Sequence, residues 1–167
     1  MLETTNQLKF VEYYSPEYRQ AARLRYRLFY QEHNIPYQSI FEPQEPQSQH
    51  LVITKQKKHQ VLAYGRLDRK SFDKFQICQM VVEPEYQRQG LGTMILLKLT
   101  KVATNQGANL VVLNARVAKM QFYQRYGFEP IGEMFPSSST GVPHIKMQQK
   151  IIFQQKKAIA DNRINLM

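Results

Sequence analysis

The chain has 167 residues, 43% of them hydrophobic, and 23 Lys and Arg against 13 Asp and Glu give a net charge of +10. This length suits one domain whose core needs no disulfides, and the single Cys78 excludes both an internal disulfide framework and a cysteine-based metal site. No stretch approaches the roughly 18 apolar residues of a membrane span, and the N-terminus lacks a signal-peptide pattern, so we expect a cytoplasmic protein that does not enter a membrane.

The first third of the chain predicts a strand, a helix and a long loop. Residues 8–13 favour a strand, and Ser15 followed by Pro16 is typical of a helix start. Apolar residues at helical spacing continue this helix to about Glu32. Three prolines between residues 33 and 49 exclude a regular helix or a central strand, so we predict a long loop of the kind that often has a function.

The remaining elements are strands interrupted by two helices. Gly107 and Gly127 stand where glycines commonly end helices. In chain order we predict strands at 50–55, 60–68 and 75–82, a helix from Leu91 to Gly107, a strand at 110–113, a helix at 118–126, and strands at 128–135 and 144–152. The predicted fold class is therefore α/β, of the α+β kind.

Residues 77–95 combine an apolar strand, a turn and a Gly-x-Gly that opens an apolar helix. The first N–H groups of a helix lack intrahelical partners and lie at the positive end of the helix dipole, so the pattern predicts a phosphate-binding turn. A dinucleotide-binding fingerprint would need a third glycine where Ile95 stands and an acidic residue where Leu113 and Asn114 stand. A Walker motif would need Gly-Lys-Ser or Gly-Lys-Thr, which the sequence lacks.

Two motifs resemble those of the GNAT superfamily of acyl-CoA-dependent N-acetyltransferases. Gln87-x-x-Gly90-x-Gly92, preceded by Pro-Glu-Tyr, is similar to the family's Arg/Gln-x-x-Gly-x-Gly/Ala motif. Residues 122–129, Phe-Tyr-Gln-Arg-Tyr-Gly-Phe-Glu, are similar to its Tyr-x-x-x-Gly-Phe element. Both motifs occur at the family's separation and in its order of elements.

The resemblance extends over residues 8 to about 150, and the segments 127–135 and 141–147 are most similar to the small bacterial ElaA-type branch. It implies a GNAT-like mixed, mostly antiparallel sheet of six to seven strands flanked by helices. We therefore expect a single GNAT acetyltransferase domain at 1–150 and a C-terminal extension at 151–167.

The resemblance also implies acetyl-CoA as the co-substrate and indicates where it binds. The strand before the turn is implied to separate from its neighbour at a bulge, so that its backbone pairs with the pantetheine arm and one N–H faces the acetyl carbonyl. The implied cofactor-binding residues are Met80, Val81 and Val82 on this strand and Arg88, Gln89, Gly90, Leu91, Gly92 and Thr93 at the helix start.

The catalytic candidates are a tyrosine and a histidine. The family match implies that Tyr123 is the acid that assists the departing thiolate, with packing among the neighbouring aromatic residues as the alternative. His144 is the candidate base because histidine titrates near neutrality, with a structural role as the alternative. Asn114 can orient a water molecule but cannot accept a proton.

These residues predict an N-acetyltransferase that moves an acetyl group from acetyl-CoA to a primary amine of a small molecule, peptide or protein by direct attack in a ternary complex. No metal is expected, because the histidines show no ligand spacing. Acceptor choice is expected in the end of the first helix and the loops 33–49 and 136–143. There, the acidic residues Glu32, Glu42 and Glu45 either favour a cationic amine or are solvated loop charges.

Two other functions are open to this sequence. The domain could bind acyl-CoA as a sensor without turnover, or its positive charge could attract nucleic acid through the tail 150–167. Nucleic acid is the less favoured partner because the basic residues are scattered along the chain. The same tail could form a homodimer contact.

Overall fold

Strands and helices follow one another in the order that the sequence predicts. The computed structural model describes residues 5–152. Within that range lie β1 (Asn6–Val11), α1 (Pro16–Phe29), β2 (Gln49–Lys55), β3 (Gln60–Arg69), β4 (Lys74–Val82), α2 (Leu91–Asn105), β5 (Leu110–Arg116), α3 (Met120–Gln124), β6 (Glu129–Pro136) and β7 (Pro143–Lys150). The seven described strands form a mixed, mostly antiparallel sheet in the order β1-β2-β3-β4-β5-β7-β6, flanked by the three helices, which confirms the predicted fold class.

The chain divides into two compact units. The first comprises Met1–Asp68 and Ile77–Leu99, and the second comprises Arg69–Gln76 and Thr100–Met167. Of the predicted extension at 151–167, all but the first two residues lies outside the part of the chain that the structure describes. The prediction of one domain at 1–150 stays a prediction.

In the first unit, α1 packs its apolar side against the strands. The Ser15 hydroxyl accepts a hydrogen bond from the Tyr18 N–H at 3.2 Å and caps the helix. Ala21 and Leu24 belong to a buried cluster together with residues of β2, β3 and β4, namely Val52, Val61, Tyr64 and Val81. Arginines exposed on the opposite side are Arg19, Arg23 and Arg27.

The first helix is shorter than predicted. It ends at Phe29, and Gln31–His33 form a separate 3-10 turn that closes with Asn34 at a φ of 55°. Tyr30, with a φ of −127°, departs from helical backbone geometry, so α1 ends before the predicted end at Glu32. The loop that follows contains two further 3-10 turns, Tyr37–Ile40 and Glu45–Gln47.

In the second unit, β7 pairs antiparallel with both β5 and β6. Pairing with β7 continues as far as Arg116 opposite His144, so β5 runs three residues beyond its predicted end at 113. The helix predicted at 118–126 is shorter, because residues 117–119 form a 3-10 turn and α3 covers only Met120–Gln124. Among the helices of residues 5–152, none is both long and apolar enough to cross a membrane.

Candidate functional site

The turn that leads from β4 into α2 has the backbone of an anion-binding site. The first bond of the helix runs from the Met94 N–H to the Gly90 carbonyl at 3.0 Å, so the N–H groups of Leu91 and Gly92 precede the intrahelical ladder. Gly90 has a φ of +82°, and a Cβ placed there would meet no atom within 4 Å. Arg88 also adopts a positive φ, of 60°. Helix-start amides without intrahelical partners, next to a residue without a side chain, are the features with which backbone turns bind phosphate groups.

The glutamine that opens the Gln-x-x-Gly-x-Gly motif has a structural role in this turn. Gln87 Nε2 donates a hydrogen bond to the Val82 carbonyl at 3.1 Å and so ties the turn to the end of β4. Glu83 accepts two hydrogen bonds from Arg27 Nη2, at 3.0 and 2.8 Å, and its N–H donates to the Leu62 carbonyl at 2.7 Å. Glu83 is therefore an anchor of the strand end.

Strand β4 carries a local break in its backbone just before the predicted pantetheine-binding residues. Gln79 has a φ of 57°, which is rare for a non-glycine residue inside a strand and is typical of a bulge. The Gln79 amide holds this conformation through Tyr30, whose hydroxyl accepts a hydrogen bond from Nε2 at 2.9 Å. The break lies immediately before Met80, where the family resemblance implies one. The pairing of residues 80–82 with pantetheine stays a prediction.

A buried charge cluster, formed by Arg25, Glu45, Arg66 and Asp68, lies in the first unit and was missed by the sequence analysis. The Glu45 carboxylate is 0% exposed and accepts hydrogen bonds from Arg25 Nη2 at 2.8 Å and Arg66 Nη1 at 2.9 Å. Tyr18 donates a further hydrogen bond to Glu45, and Arg66 Nε donates to Asp68 at 2.8 Å. The cluster attaches the proline-rich loop to α1 and β3.

This cluster corrects the interpretation of the acidic loop residues. Burial alone would raise the pKa of Glu45, but the hydrogen bonds and charges of Arg25, Tyr18 and Arg66 outweigh it and lower that pKa. Glu45 is therefore neither a solvated charge nor available to an acceptor amine. Glu42, 43% exposed, is paired with Arg66. The sequence could have indicated a buried arginine, because Arg25 follows Ala21 by four residues and so lies on the buried side of α1.

His50 completes the cluster as a neutral, structural histidine. Its Nε2 donates to the Glu45 carbonyl at 2.8 Å, and its Nδ1 accepts from the Tyr64 hydroxyl at 2.8 Å. A carbonyl oxygen only accepts hydrogen bonds, so this tautomer is required. Burial lowers the pKa of His50, which keeps the ring uncharged.

In the second unit, Tyr123 lies on α3 with its ring among aromatic neighbours. The ring centroid is 5.0 Å from that of Phe122 and 6.3 Å from that of Phe128, both in edge-on contacts. Burial raises the pKa of Tyr123 to about 12, so the phenol stays protonated at neutral pH. No residue within 5–152 forms a hydrogen bond with its hydroxyl, whose proton can therefore be donated to a ligand. Its role as the acid stays a prediction.

His144 lies at the start of β7 in a tautomer that suits a base. Its Nδ1 is 2.7 Å from the Val142 carbonyl, which can only accept, so the ring proton is on Nδ1 and the lone pair of the neutral ring is on Nε2. The ring packs against Phe135 at a centroid distance of 6.1 Å. His144 stays a prediction as the base. Asn114, on the neighbouring strand β5, is exposed.

The other reactive groups give no second catalytic centre. Burial raises the pKa of the Cys78 thiol to about 12, which keeps it protonated and unreactive. Within the part of the chain that the structure describes, no three His, Cys, Asp or Glu side chains come together as a metal site.

A seven-stranded mixed sheet, a strand with a bulge-like break and a glycine turn into a helix together define an acyl-CoA-dependent N-acyltransferase. The family model described as "Acetyltransferase (GNAT) domain" matches residues 16–151. The chain therefore belongs to the GNAT acetyltransferase family, as its sequence motifs predicted.

Two relatives support this assignment, and two solved structures share the fold. YjcF of Bacillus subtilis (strain 168), named an uncharacterized N-acetyltransferase, is 27% identical over 138 residues, which cover 78% of this chain and 91% of YjcF. Protein ElaA of Escherichia coli (strain K12) is 28% identical over 134 residues, covering 78% of this chain and 85% of ElaA. The predicted similarity to the ElaA-type branch is thus confirmed.

The crystal structure of Escherichia coli ElaA has a TM-score of 0.72 at 23% identity, covering 87% of this chain and 100% of ElaA. An aminoglycoside 6'-N-acetyltransferase complexed with coenzyme A has a TM-score of 0.69 at 16% identity, covering 87% of this chain and 97% of that one. At these identities the two structures show a shared fold.

Proposed function

We propose that this chain transfers the acetyl group of acetyl-CoA to a primary amine by direct attack in a ternary complex. The observation that carries the proposal is the Gly90 turn, where a positive-φ glycine with open space at its Cβ position precedes the first amides of α2. Pyrophosphate is an anion that such a helix start binds well. A structural neighbour with the same fold is an acetyltransferase complexed with coenzyme A.

The donor-binding residues of this proposal are those predicted from the sequence. The amides of residues 88–93 hold the phosphates of the co-substrate, and the backbone of residues 80–82 aligns its pantetheine arm. The break at Gln79 supports this assignment because a bulge turns backbone N–H and C=O groups away from the regular ladder. An N–H near Val81 or Val82 then stabilises the oxyanion that develops on the acetyl carbonyl.

In the proposed reaction the amine nitrogen bonds to the thioester carbonyl carbon, and the carbon–sulfur bond breaks. Tyr123 donates a hydrogen bond to the sulfur as negative charge develops there. With the pKa of Tyr123 near 12, complete proton transfer to a thiolate, whose conjugate thiol has a pKa of about 8.5, is uphill. Stabilisation of the thiolate by hydrogen bonding therefore comes first; the proton that the amine gives up to the base then returns through solvent and Tyr123 to the sulfur, so the thiol leaves and Tyr123 ends protonated.

The acceptor amine must lose one proton to become a nucleophile. His144 fits this role because the lone pair of its neutral ring is on Nε2, the nitrogen that does not bond the backbone. Asn114 fits the role of orienting a water molecule between the amine and the base.

Turnover with a panel of primary amines tests the proposal. Purified protein is mixed with acetyl-CoA and each amine, and free thiol is measured against reactions that lack either protein or amine. We expect amine-dependent thiol release from at least one acceptor. Tight binding of acetyl-CoA without thiol release from any amine would contradict the proposal and support the sensor alternative.

A further inference from the structure

A basic cavity of about 380 Å³ lies in the second unit, and no function has yet been given to it. Its polar lining consists of three lysines and two amides, joined by one aromatic ring: Lys70, Lys74, Lys146, Gln76, Asn114 and Phe135. The buried Val112 completes the lining, which contains no acidic side chain. We call this space the lysine cavity. Its volume is in the range of small-molecule binding sites, which is about 300–1,000 Å³.

The three lysines have no partner within the described residues. None of them forms an ion pair or a side-chain hydrogen bond there. Three ammonium groups around one cavity repel each other unless an anion lies between them. Within the described residues, no carboxylate lies within ion-pair distance of these three lysines, and the nearby Asp73 carboxylate of the same turn accepts hydrogen bonds from Ser71 and Asn109 instead.

The backbone holds two of the lysines at a tight turn between β3 and β4. The Lys70 N–H donates to the Lys74 carbonyl at 2.8 Å, which brings the two lysines together. Arg69 fixes the turn by donating hydrogen bonds to the carbonyls of Ser71 at 3.1 Å and Phe72 at 2.8 Å. The positive charge at this end of the cavity is therefore built into the fold.

The lysine cavity lies beside the candidate base. Lys146 is opposite Asn114 in the β5–β7 pairing, and His144 precedes Lys146 by two residues on the same strand, so the two side chains are on the same face of the sheet. Phe135 lines the cavity and is opposite His144 in the β6–β7 pairing, with the two rings 6.1 Å apart. His144 does not line the cavity itself but contacts Phe135, which does.

We propose that the lysine cavity binds an acidic group of the acceptor, a carboxylate or a phosphate, and so selects amines that carry a nearby negative charge. This inference rests on the proposed function. The lysines would attract the acidic group and repel polycationic amines. Their positive charge would also lower the pKa of the bound ammonium and favour the neutral, nucleophilic amine. Of the three acidic residues that could have favoured a cationic acceptor, Glu45 is buried among arginines and Glu42 is paired with Arg66, which leaves the exposed Glu32 beside His33.

Matched pairs of acceptors test the preference. Phosphoethanolamine is compared with ethanolamine, β-alanine with β-alaninamide, and spermidine represents polycations, with kcat/KM measured by thiol release. We expect kcat/KM to be at least about tenfold higher for the anionic member of at least one pair, because a hydrogen bond to a charged group contributes this much or more. The pair that shows the larger difference indicates whether the cavity prefers a phosphate or a carboxylate. Turnover that favours spermidine or the amines without an acidic group would overturn the inference while leaving the proposed function intact.

Substitutions separate the lysine cavity from the general positive charge of the surface. Lys146→Met and Lys74→Met should each raise KM for the preferred anionic acceptor about tenfold and leave KM for its uncharged partner and the affinity for CoA unchanged. Lys150→Met is the matched control, because Lys150 lies on the same strand but does not line the cavity. Equal changes for charged and uncharged acceptors, or an equal effect of Lys150→Met, would overturn the inference.

A binding measurement covers the case in which no amine releases thiol and the proposed function fails. Phosphoethanolamine, β-alanine and ethanolamine are titrated by calorimetry into protein saturated with CoA. Binding of an anionic probe that is weakened by Lys146→Met, with no binding of ethanolamine, would support an acidic-ligand site without turnover. Failure of both anionic probes to bind would overturn it, as would lysine-dependent binding of duplex DNA instead.

Discussion

Gly90 provides the sharpest test of the predicted cofactor site, because Gly107 at the other end of the same helix supplies a matched control. Gly90 at the start of α2 has a φ of +82° and Gly107 after its end has a φ of +97°, and at both positions an added Cβ would meet no atom within 4 Å. An L-residue in this left-handed region costs about 1–2 kcal/mol. Gly90→Leu and Gly107→Leu should therefore destabilise the fold equally, lowering Tm by about 2–8 °C.

The two variants should differ in their affinity for CoA. A side chain at Gly90 occupies the open space in front of the Leu91 and Gly92 amides and keeps a phosphate from reaching them. Losing two hydrogen bonds to a charged group, at about 1.5–3 kcal/mol each, removes about 3–6 kcal/mol of binding free energy. The dissociation constant of CoA should then rise by roughly 10²- to 10⁴-fold.

Isothermal titration calorimetry with CoA measures this difference, and thermal unfolding of the same samples measures the cost to the fold. Gly107→Leu should bind CoA like the unsubstituted protein. If Gly90→Leu keeps CoA affinity within about threefold, less than 0.7 kcal/mol, the phosphate-binding turn is assigned to the wrong place. If both variants lose affinity equally, the cause is weakening of the whole helix.

Four further predictions concern the buried charge cluster and Tyr123, the candidate acid. Glu45→Gln should lower the free energy of unfolding in urea by about 3–5 kcal/mol, because it leaves Arg25 buried without its counter-ion, whereas the partly exposed Glu42→Gln should cost about 1 kcal/mol or less; equal losses would contradict this reasoning. Since the pKa of Glu45 is lowered from 4.5 in the folded protein, its stabilisation is complete above that pH and is lost as the pH falls below it, so unfolding curves of Glu45→Gln should depend less on pH in this range. Tyr123→Phe should lower turnover by about 10²- to 10⁴-fold without changing CoA affinity, and an unaltered rate would remove Tyr123 as the acid. With a pKa near 12 rather than 10.0, Tyr123 stays protonated to about pH 10. Ionisation of Tyr123 should therefore not lower the rate of thiol release between about pH 8 and pH 10, once that rate is corrected for spontaneous hydrolysis of acetyl-CoA.

Much of the fold could be predicted because its signals are local. Ser15 and Pro16 mark the start of α1, and glycines mark the ends of α2 and α3, since caps and left-handed residues act through neighbouring backbone groups. Element ends set by pairing were less accurate. Strand β5 continues to Arg116 because β7 offers hydrogen-bonding partners there. The sequence around Leu113 does not indicate this pairing.

In the candidate site, too, the features formed by consecutive residues could be predicted and those formed by distant residues could not. The strand, turn and glycines of the donor site are consecutive in the chain, so their pattern alone indicated the phosphate ligand, and the second motif indicated coenzyme A. Glu45 was misjudged because a carboxylate between two prolines looks like a solvated loop charge. Its actual partners, Arg25 and Arg66, are 20 and 21 residues away in the sequence.

The sequence by itself determined the family and the class of donor, because a helix start that binds phosphate is built from adjacent residues whose backbone geometry follows from their side chains. Only the tertiary structure decided which charges lie together in space. Charges act through space, and the sheet brings Lys70 and Lys74 of one turn to the same cavity as Lys146, while the fold neutralises Glu45 with distant arginines. The order of residues in the chain does not contain these distances.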